Sequence, residues 1–268
     1  MDVTPARRLR RIRRRPRFKG PSFNQVVPNL ITLLGLCAGL NAIRDALDHR
    51  WQHAAIFIVA AGLFDAADGR IARLLKGTSR FGAEFDSLAD FCCFGIAPAL
   101  ILYLWSLKEA GRFGFMPCLM FAVCMALRLA RFNAALESAP KPAYAQSFFT
   151  GVPAPAGAGV ALFPLFMGLE AGDQGWSIVA DLARHPAFVA TMLVGTSLLL
   201  VSTLPVWSFK NFKVPSEYVL PLLLGTGLMA ALLMTDPWAA LAACGIIYLV
   251  MLPFSLRSFR RLRAEAEA

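Results

Sequence analysis

Four aspartates within 26 residues have the residue type and the spacing to bind a metal ion. Asp65 and Asp68 are three positions apart, and Asp86 and Asp90 are four positions apart. In a helix, residues three or four positions apart lie on the same face, so each pair can point its carboxylates in one direction. The segment between the pairs, RLLKGTSRFGAEF, is short and basic and contains two glycines that can turn the chain. Two neighbouring helices can therefore direct four carboxylates into one space.

The chemistry predicted from this arrangement is metal-assisted phosphate chemistry. Four unpaired carboxylates beside apolar segments repel one another and are costly to remove from water. A divalent cation relieves both effects, and carboxylate oxygens suit Mg²⁺ or Mn²⁺, which often keep coordination positions open for water and substrate phosphates. We therefore predict a divalent metal centre of one ion or, in preference, two, that holds a phosphorylated substrate.

Two other interpretations of the four acids follow from the residues alone. The acids could form a solvated face or pair with the basic residues near them, Arg70, Arg73, Lys76 and Arg80. They could also belong to a proton or ion pathway, because acidic residues inside membrane segments commonly do. The paired helical spacing argues against the first interpretation. The clustering at one membrane edge argues against the second, because a transport path should continue across the membrane.

Composition indicates that the helices carrying these acids lie in a membrane. The 268 residues are 57% hydrophobic and 16% charged, whereas soluble domains are about 45–50% apolar and about 25% charged. Apolar runs long enough to cross a bilayer recur, and a helix satisfies its own backbone hydrogen bonds there. We predict an all-α polytopic membrane protein with about eight transmembrane helices. The predicted spans are 26–46, 51–75, 86–107, 113–136, 152–169, 187–207, 217–234 and 238–255.

The distribution of positive charge predicts the orientation of these spans. Nine of the 27 Lys and Arg lie in the first 19 residues, and 22 fall on one side of the membrane if eight spans alternate. Lys and Arg are concentrated in cytoplasmic segments, so we expect both termini in the cytoplasm. The predicted parts are a basic N-terminal segment at 1–25, a transmembrane catalytic domain at 26–256 and a cytoplasmic tail at 257–268. The basic segment suits the anionic surface of a phospholipid bilayer, and no fold-like pattern accompanies its arginines to indicate nucleic-acid binding.

The aspartate pattern resembles the signature of the CDP-alcohol phosphotransferase family. Every defined position of that signature is matched by Asp65-x2-Asp68-Gly69-x2-Ala72-Arg73-x8-Gly82-x3-Asp86-x3-Asp90. Family members are helical integral membrane enzymes, generally homodimers, that use divalent metal. They displace CMP from a CDP-linked lipid or alcohol with a hydroxyl nucleophile. The resemblance implies this fold and chemistry here, in a homodimer of a bacterial inner membrane with its active site at the cytoplasmic face.

The resemblance also implies roles for individual residues. Asp65, Asp68 and Asp86 are implied as the main metal ligands. Asp90 is implied as the general base that takes the proton of the attacking hydroxyl, and it also touches the metal. The stretch VVPNLIT at 26–32 resembles a Pro-Asn element of the family's first helix. The residues implied to bind the CDP-linked lipid are Asn29, Gly69, Ala72, Arg73 and Gly82. Tight helix packing is the structural alternative for the small residues in this set.

Three further stretches resemble the phosphatidylserine synthase branch of the family. They are RLARFN at 128–133, GVPAPAGA at 151–158 and VSTLPVWSFK at 201–210. This second resemblance implies transfer of the phosphatidyl group of CDP-diacylglycerol to the hydroxyl of L-serine, with release of CMP. An arginine can bind a carboxylate through two hydrogen bonds. The candidates for binding the serine carboxylate are Arg128, Arg131 and Lys210.

Other acceptors and a different class of protein remain alternatives. Within the family, the acceptor could be glycerol 3-phosphate, an inositol phosphate or choline. A phosphorylated acceptor should require a denser basic pocket than two arginines, and choline should require an aromatic or acidic pocket. A non-catalytic membrane binding or transport protein could share the same fold. The presence of Asp90 argues against that alternative, because such a protein has little need for a general base.

Overall fold

Helices make up nearly all of the chain that the structure describes. This computed structural model describes residues 23–136, 148–207 and 216–267. The predicted serine-binding candidate Lys210 and most of the basic N-terminal segment lie outside these residues. The α-helices are α1 (Phe23–Leu47), α2 (Trp51–Leu74), α3 (Arg80–Asp90), α4 (Ala97–Trp105), α5 (Phe115–Leu136), α6 (Ala154–Ala161), α7 (Phe163–Asp173), α8 (Ser177–Arg184), α9 (Pro186–Val201), α10 (Ser216–Thr235) and α11 (Pro237–Glu267).

Short irregular elements connect some of these helices. A π-helical turn, Phe91–Ile96, joins α3 to α4, and a 3₁₀ segment, Leu107–Phe113, precedes α5. Two three-residue strands, β1 (Phe148–Thr150) and β2 (Pro205–Trp207), pair antiparallel with Phe149 opposite Val206. The prediction of a continuous helix over 187–207 is therefore wrong at its end. Helix α9 stops at Val201, and the chain then extends into a strand that begins with a proline, which has no N–H to continue a helix.

Length and composition allow four to six of the described helical segments to cross a membrane. Four are long and apolar enough as they stand, namely α1, the α3–α4 segment Arg80–Trp105, α5 and the Pro237–Phe259 part of α11. Two bent pairs add one span each if the pair crosses together: α6–α7 bends by 45° and α8–α9 by 54°. Helix α10 has only the shorter apolar stretch Val219–Thr235. The polytopic helical architecture agrees with the sequence, and the number of eight spans stays a prediction.

Helices α1 and α2 pack closely along their lengths through small residues. Ala42 and Ala46 of α1 and Ala54 and Ala55 of α2 are fully buried. A Cβ added to Gly35 would lie 3.3 Å from the Cβ of Phe64, so this side of α1 has little room for a larger residue. Small residues allow membrane helices to approach each other closely. The packing places the start of α1 beside the acidic end of α2.

The π-helical turn begins immediately after Asp90. Pro98, four residues after Phe94, has no N–H to donate to the carbonyl of Phe94, which favours a break in regular helical hydrogen bonding at this point. Cys93 and Phe94 of the turn are buried. A Cβ added to Gly39 of α1 would lie 2.5 Å from Sγ of Cys93, so α1 contacts the turn directly. Such π-helical turns are frequent at functional sites, and this one holds the end of α3 against α1.

Candidate active site

Three aspartates converge where α2 and α3 face each other. One carboxylate oxygen from each of Asp65, Asp68 and Asp86 lies within 4.8 Å of the other two. Together with Asp90, these side chains line a small space of about 10 Å³, close to the size that one water-sized sphere requires. Carboxylate oxygens at this separation are a donor set that a divalent cation can bind. The structure thus brings together the four aspartates that the sequence singles out.

Thr32 of α1 holds one of these aspartates in place. Its hydroxyl donates a hydrogen bond to Oδ2 of Asp68 at 2.6 Å, and both side chains are buried. A hydrogen bond of this kind fixes the orientation of a metal ligand from outside the coordination sphere. Thr32 is absent from the residues predicted from the sequence. The available signal is its place on α1 three positions after Asn29, which puts the two residues on one face of the helix.

A larger cavity of about 170 Å³ opens beside the acids. Thr32, Asp68 and Asp86 line both this cavity and the ion-sized space, so the two are contiguous. A Cβ added to Gly69 would contact nothing within 4 Å, so this position leaves the cavity wall open. Of the five residues predicted to bind the CDP-linked lipid, those that line the cavity are Asn29, Gly69, Ala72 and Gly82.

The fifth predicted residue, Arg73, has a different position. Its side chain is exposed and is not among the residues that line the cavity. Its Nε donates a hydrogen bond to the carbonyl oxygen of Gly69 one helical turn earlier, at 2.9 Å. The structure therefore places Arg73 on the same helix as the cavity lining but outside the cavity.

The N-terminus of α3 closes one side of the cavity. Ser79 caps the helix, because its Oγ accepts a hydrogen bond from the backbone N–H of Gly82 at 3.0 Å. A Cβ added to Gly82 would lie 2.9 Å from Oδ1 of Asn29, so glycine at this position allows α3 to approach α1. The N-terminus of a helix carries partial positive charge and favours an anionic group. Thus the cavity combines an acidic wall for a cation with a helix end suited to phosphate.

Arg128 of α5 reaches towards the acids. Its guanidinium group interacts electrostatically with Asp90 and Asp65. Its Nε donates a hydrogen bond to the carbonyl oxygen of Val152 at 2.9 Å. Its Nη1 is buried and has no hydrogen-bond partner among the described residues. Part of this guanidinium therefore has free hydrogen-bonding capacity close to Asp90.

Arg131, one turn further along α5, donates its hydrogen bonds to backbone carbonyl oxygens instead. Its Nη1 donates to the carbonyl oxygen of Val201 at 2.7 Å, and its Nη2 donates to that of Ser202 at 3.0 Å. These carbonyls belong to the C-terminal end of α9, where a positive charge is favourable. A Cβ added to Gly151, which has φ 80°, would lie 2.9 Å from Nη2 of Arg131. Glycine is therefore favoured there by both its backbone conformation and the close guanidinium.

Comparison with known proteins identifies the family to which this arrangement belongs. The family described as CDP-alcohol phosphatidyltransferase matches residues 25–183, which is more than half of the chain and includes all four aspartates. A second family description, CDP-alcohol phosphatidyltransferase 2, matches residues 217–253.

The chain belongs to the CDP-alcohol phosphatidyltransferase family.

Several curated proteins similar to this member of the CDP-alcohol phosphatidyltransferase family carry the name CDP-diacylglycerol–serine O-phosphatidyltransferase. One from Mycobacterium bovis is 40% identical over 243 residues, which is 91% of this chain and 82% of that protein. One from Mycobacterium leprae is 38% identical over 254 residues, 95% of this chain and 82% of that protein. One from Bacillus subtilis is 31% identical over 187 residues, 70% of this chain and 91% of that protein. The resemblance inferred from the aspartate signature is confirmed.

Family membership accounts for the apolar helices and for the acid cluster together. A CDP-alcohol phosphatidyltransferase with four to six apolar helical spans is an integral membrane protein. The family is generally dependent on divalent metal, and Asp65, Asp68 and Asp86 provide a group of carboxylates that could bind one. The hard oxygen donors and the small space between them fit that requirement.

Proposed function

We propose that this protein is a CDP-diacylglycerol–serine O-phosphatidyltransferase. It transfers the phosphatidyl group of CDP-diacylglycerol to the hydroxyl of L-serine and releases CMP. The observation that carries this proposal is the convergence of four aspartates beside a cavity lined by the small residues of the signature. The proposal gains support from relatives of that name at 40% identity over 91% of the chain.

Asp65, Asp68 and Asp86 are the proposed metal ligands, and Asp90 completes the set. Their oxygens suit Mg²⁺ or Mn²⁺, and we propose two ions. When bound, divalent ions would stabilise negative charge on the attacking and leaving oxygens of the phosphoryl group. Thr32 fixes Asp68 in this set through its hydrogen bond.

The 170 Å³ cavity is the proposed site of the CDP group. Asn29, Gly69, Ala72 and Gly82 line it, and the small side chains among them leave room for the nucleotide to approach the helices. The N-terminus of α3 favours the diphosphate. Arg73 lies outside the cavity lining, so a direct contact with the diphosphate requires its exposed side chain to change orientation.

Asp90 is the proposed general base. It lines the same small space as the other three acids but is not part of the close group of three oxygens, which leaves it available for proton transfer. Its carboxylate takes the proton of the serine hydroxyl, and the oxygen attacks the phosphorus that bears the diacylglycerol. The bond from that phosphorus to the bridging oxygen breaks, and CMP leaves with the electron pair. Arg128, beside Asp90, is the proposed partner of the serine carboxylate.

The membrane arrangement is a further part of the proposal. We propose a homodimer in a bacterial inner membrane, with eight spans, both termini in the cytoplasm and the active site at the cytoplasmic face. The excess of Lys and Arg on one side supports this orientation. It lets the acyl chains of the lipid stay in the bilayer while serine enters from water.

The test is an acceptor assay with purified protein. CDP-diacylglycerol is supplied with radiolabelled serine, glycerol 3-phosphate, an inositol phosphate or choline, and with Mg²⁺, Mn²⁺ or a chelator. We expect a labelled lipid and CMP with serine only, and none after chelation. Turnover with another acceptor but not with serine would refute the serine assignment and retain the family chemistry. No turnover with any acceptor would support the non-catalytic alternative.

A further inference from the structure

Two buried polar groups outside the aspartate cluster have no hydrogen-bond partner among the described residues. They are Nη1 of Arg128 on α5 and the hydroxyl of Tyr248 on α11. A buried donor without a partner costs about 1–3 kcal/mol, so such groups are rare in native proteins and each one requires an explanation. A bound ligand would supply the missing partners.

These two groups interact electrostatically, the guanidinium of Arg128 with the phenol of Tyr248, although the residues belong to helices far apart in the sequence. Tyr248 also lines an apolar cavity of about 280 Å³ between α2, α6 and α11. Phe94 lines both this cavity and the ion-sized space between the aspartates. Tyr248 is thus placed near the reacting centre from a helix that contributes none of the signature residues.

We propose that Tyr248 and Arg128 together bind the carboxylate of the amino-acid acceptor. This inference rests on the proposed function. Nη1 of an arginine can only donate a hydrogen bond, and a phenol hydroxyl can donate one as well, so the pair suits an anion that accepts two. Arg128 interacts with Asp90, and an acceptor held there by its carboxylate has its hydroxyl within reach of the base.

A phosphate of the CDP-linked lipid has the same hydrogen-bonding chemistry as a carboxylate. The position of the pair favours the carboxylate, because neither Arg128 nor Tyr248 lines the 170 Å³ cavity beside the signature residues. That cavity is the proposed site of the nucleotide. The two sources of negative charge are separable by experiment, because serine and CDP-diacylglycerol have separate Michaelis constants.

The experiment compares Tyr248→Phe with Tyr103→Phe in the purified full-length enzyme. Tyr103 is also half-buried, but it lies on α4, where its ring packs edge-on against Phe115 at 5.3 Å between centroids. Tyr248→Phe removes one oxygen and keeps the ring. We expect it to raise the KM for serine about tenfold, the effect of losing one hydrogen bond to a charged group. The kcat and the KM for CDP-diacylglycerol should stay close to those of the wild type, and Tyr103→Phe should change none of the three.

Two serine analogues test whether the carboxylate is the group that is bound. L-alanine has the carboxylate but no hydroxyl, so it competes with serine without reacting, and its inhibition constant should rise in Tyr248→Phe by the same factor as the serine KM. Ethanolamine has the hydroxyl but no carboxylate, so its inhibition constant should be unchanged. A purely structural role of Tyr248 would not separate the two analogues.

Several results would overturn the proposal. A higher KM for CDP-diacylglycerol with an unchanged KM for serine would assign the pair to a lipid phosphate. Unchanged constants for both substrates would show that the hydroxyl binds neither. If Tyr248→Phe does not fold, Arg128→Lys tests the same site, because it keeps the charge and removes Nη1. An unchanged KM for serine and an unchanged inhibition constant for alanine in Arg128→Lys would also refute the proposal. A wild-type enzyme that does not use serine refutes the proposed function itself, which distinguishes the two failures.

Discussion

Thr32 on α1 donates a hydrogen bond to Oδ2 of Asp68 on α2 across 2.6 Å. Both residues are buried, with exposed fractions of 6% and 4%. The four aspartates of the site lie on α2 and α3, so α1 contributes to the cluster by orienting one of its members. The close packing of α1 on α2 makes this contact possible.

Thr32→Val should raise the metal concentration needed for activity. Valine has a similar shape but no hydroxyl, so Asp68 loses the contact that orients it. Loss of such an outer contact typically weakens metal affinity by about 10–100-fold. The measurement is activity against Mg²⁺ or Mn²⁺ concentration, with Thr32→Ser as the control that keeps the hydroxyl. An unchanged half-maximal metal concentration in Thr32→Val would show that the bond has no part in metal binding.

Asp90→Asn should abolish CMP release while leaving metal-dependent binding of CDP-diacylglycerol detectable. The amide has almost the same shape but cannot accept the proton, and a general base contributes about 10²–10⁴-fold to the rate. Binding is measured with a labelled CDP-lipid with and without chelator. Asp65→Asn is the comparison, and it should lose the metal-dependent part of binding. Normal turnover in Asp90→Asn would disprove the assignment of the base.

Gly69→Ala should impair activity without lowering stability. A Cβ at Gly69 meets no protein atom within 4 Å, and alanine favours a helix over glycine by about 0.5–1 kcal/mol. The methyl group projects into the cavity proposed for the nucleotide, where one extra carbon can cost about tenfold in specificity. We expect a higher KM for CDP-diacylglycerol and a melting temperature at or above that of the wild type.

Gly39→Ala is the matched comparison, because there the added Cβ meets protein. It would lie 2.5 Å from Sγ and 3.2 Å from Cα of Cys93. Overpacking of this kind costs about 1–3 kcal/mol, so the melting temperature in detergent should fall. An opposite pattern, with Gly69→Ala unstable and fully active, would contradict the position of the cavity.

Arg131→Ala should lower thermal stability. The substitution leaves the carbonyls of Val201 and Ser202 without their guanidinium donor, and hydrogen bonds to a charged group contribute about 1.5–3 kcal/mol. Arg131→Lys keeps the charge and should recover part of the loss. The checks are the melting temperature and the serine KM. A wild-type melting temperature together with a higher serine KM would instead favour the serine-binding role predicted for Arg131 from the sequence.

The aspartate site could be predicted from the sequence because its geometry is largely local. Residues three and four positions apart share a helix face whatever the rest of the fold does, so the pairs Asp65–Asp68 and Asp86–Asp90 can be recognised from spacing. The short connection between the end of α2 and the start of α3 then brings the two faces together. The membrane character follows equally from composition, because a bilayer requires long apolar helices.

Contacts between distant parts of the chain could not be predicted in this way. Thr32 and Asp68 are 36 positions apart, and Arg131 and Val201 are 70 positions apart. No periodic pattern links such residues. The sequence offers Arg128 and Arg131 as equivalent candidates for binding the serine carboxylate. Their different partners depend on where α6 and α9 pack against α5. The strand at 205–207 likewise depends on its pairing with β1.

From the sequence alone, this protein is a helical membrane enzyme of the CDP-alcohol phosphatidyltransferase family with a four-aspartate centre. Local helix geometry predicts the four-aspartate centre and the bilayer predicts the apolar helices, whereas the family and its chemistry follow from the resemblance of the aspartate signature. The tertiary structure decided which side chains from other helices meet this region: Thr32 donates a hydrogen bond to Asp68, and Arg128 and Tyr248 carry buried polar atoms that have no hydrogen-bond partner among the described residues. These contacts depend on how separate helices pack against one another, and helix packing is determined by the whole chain rather than by any one segment.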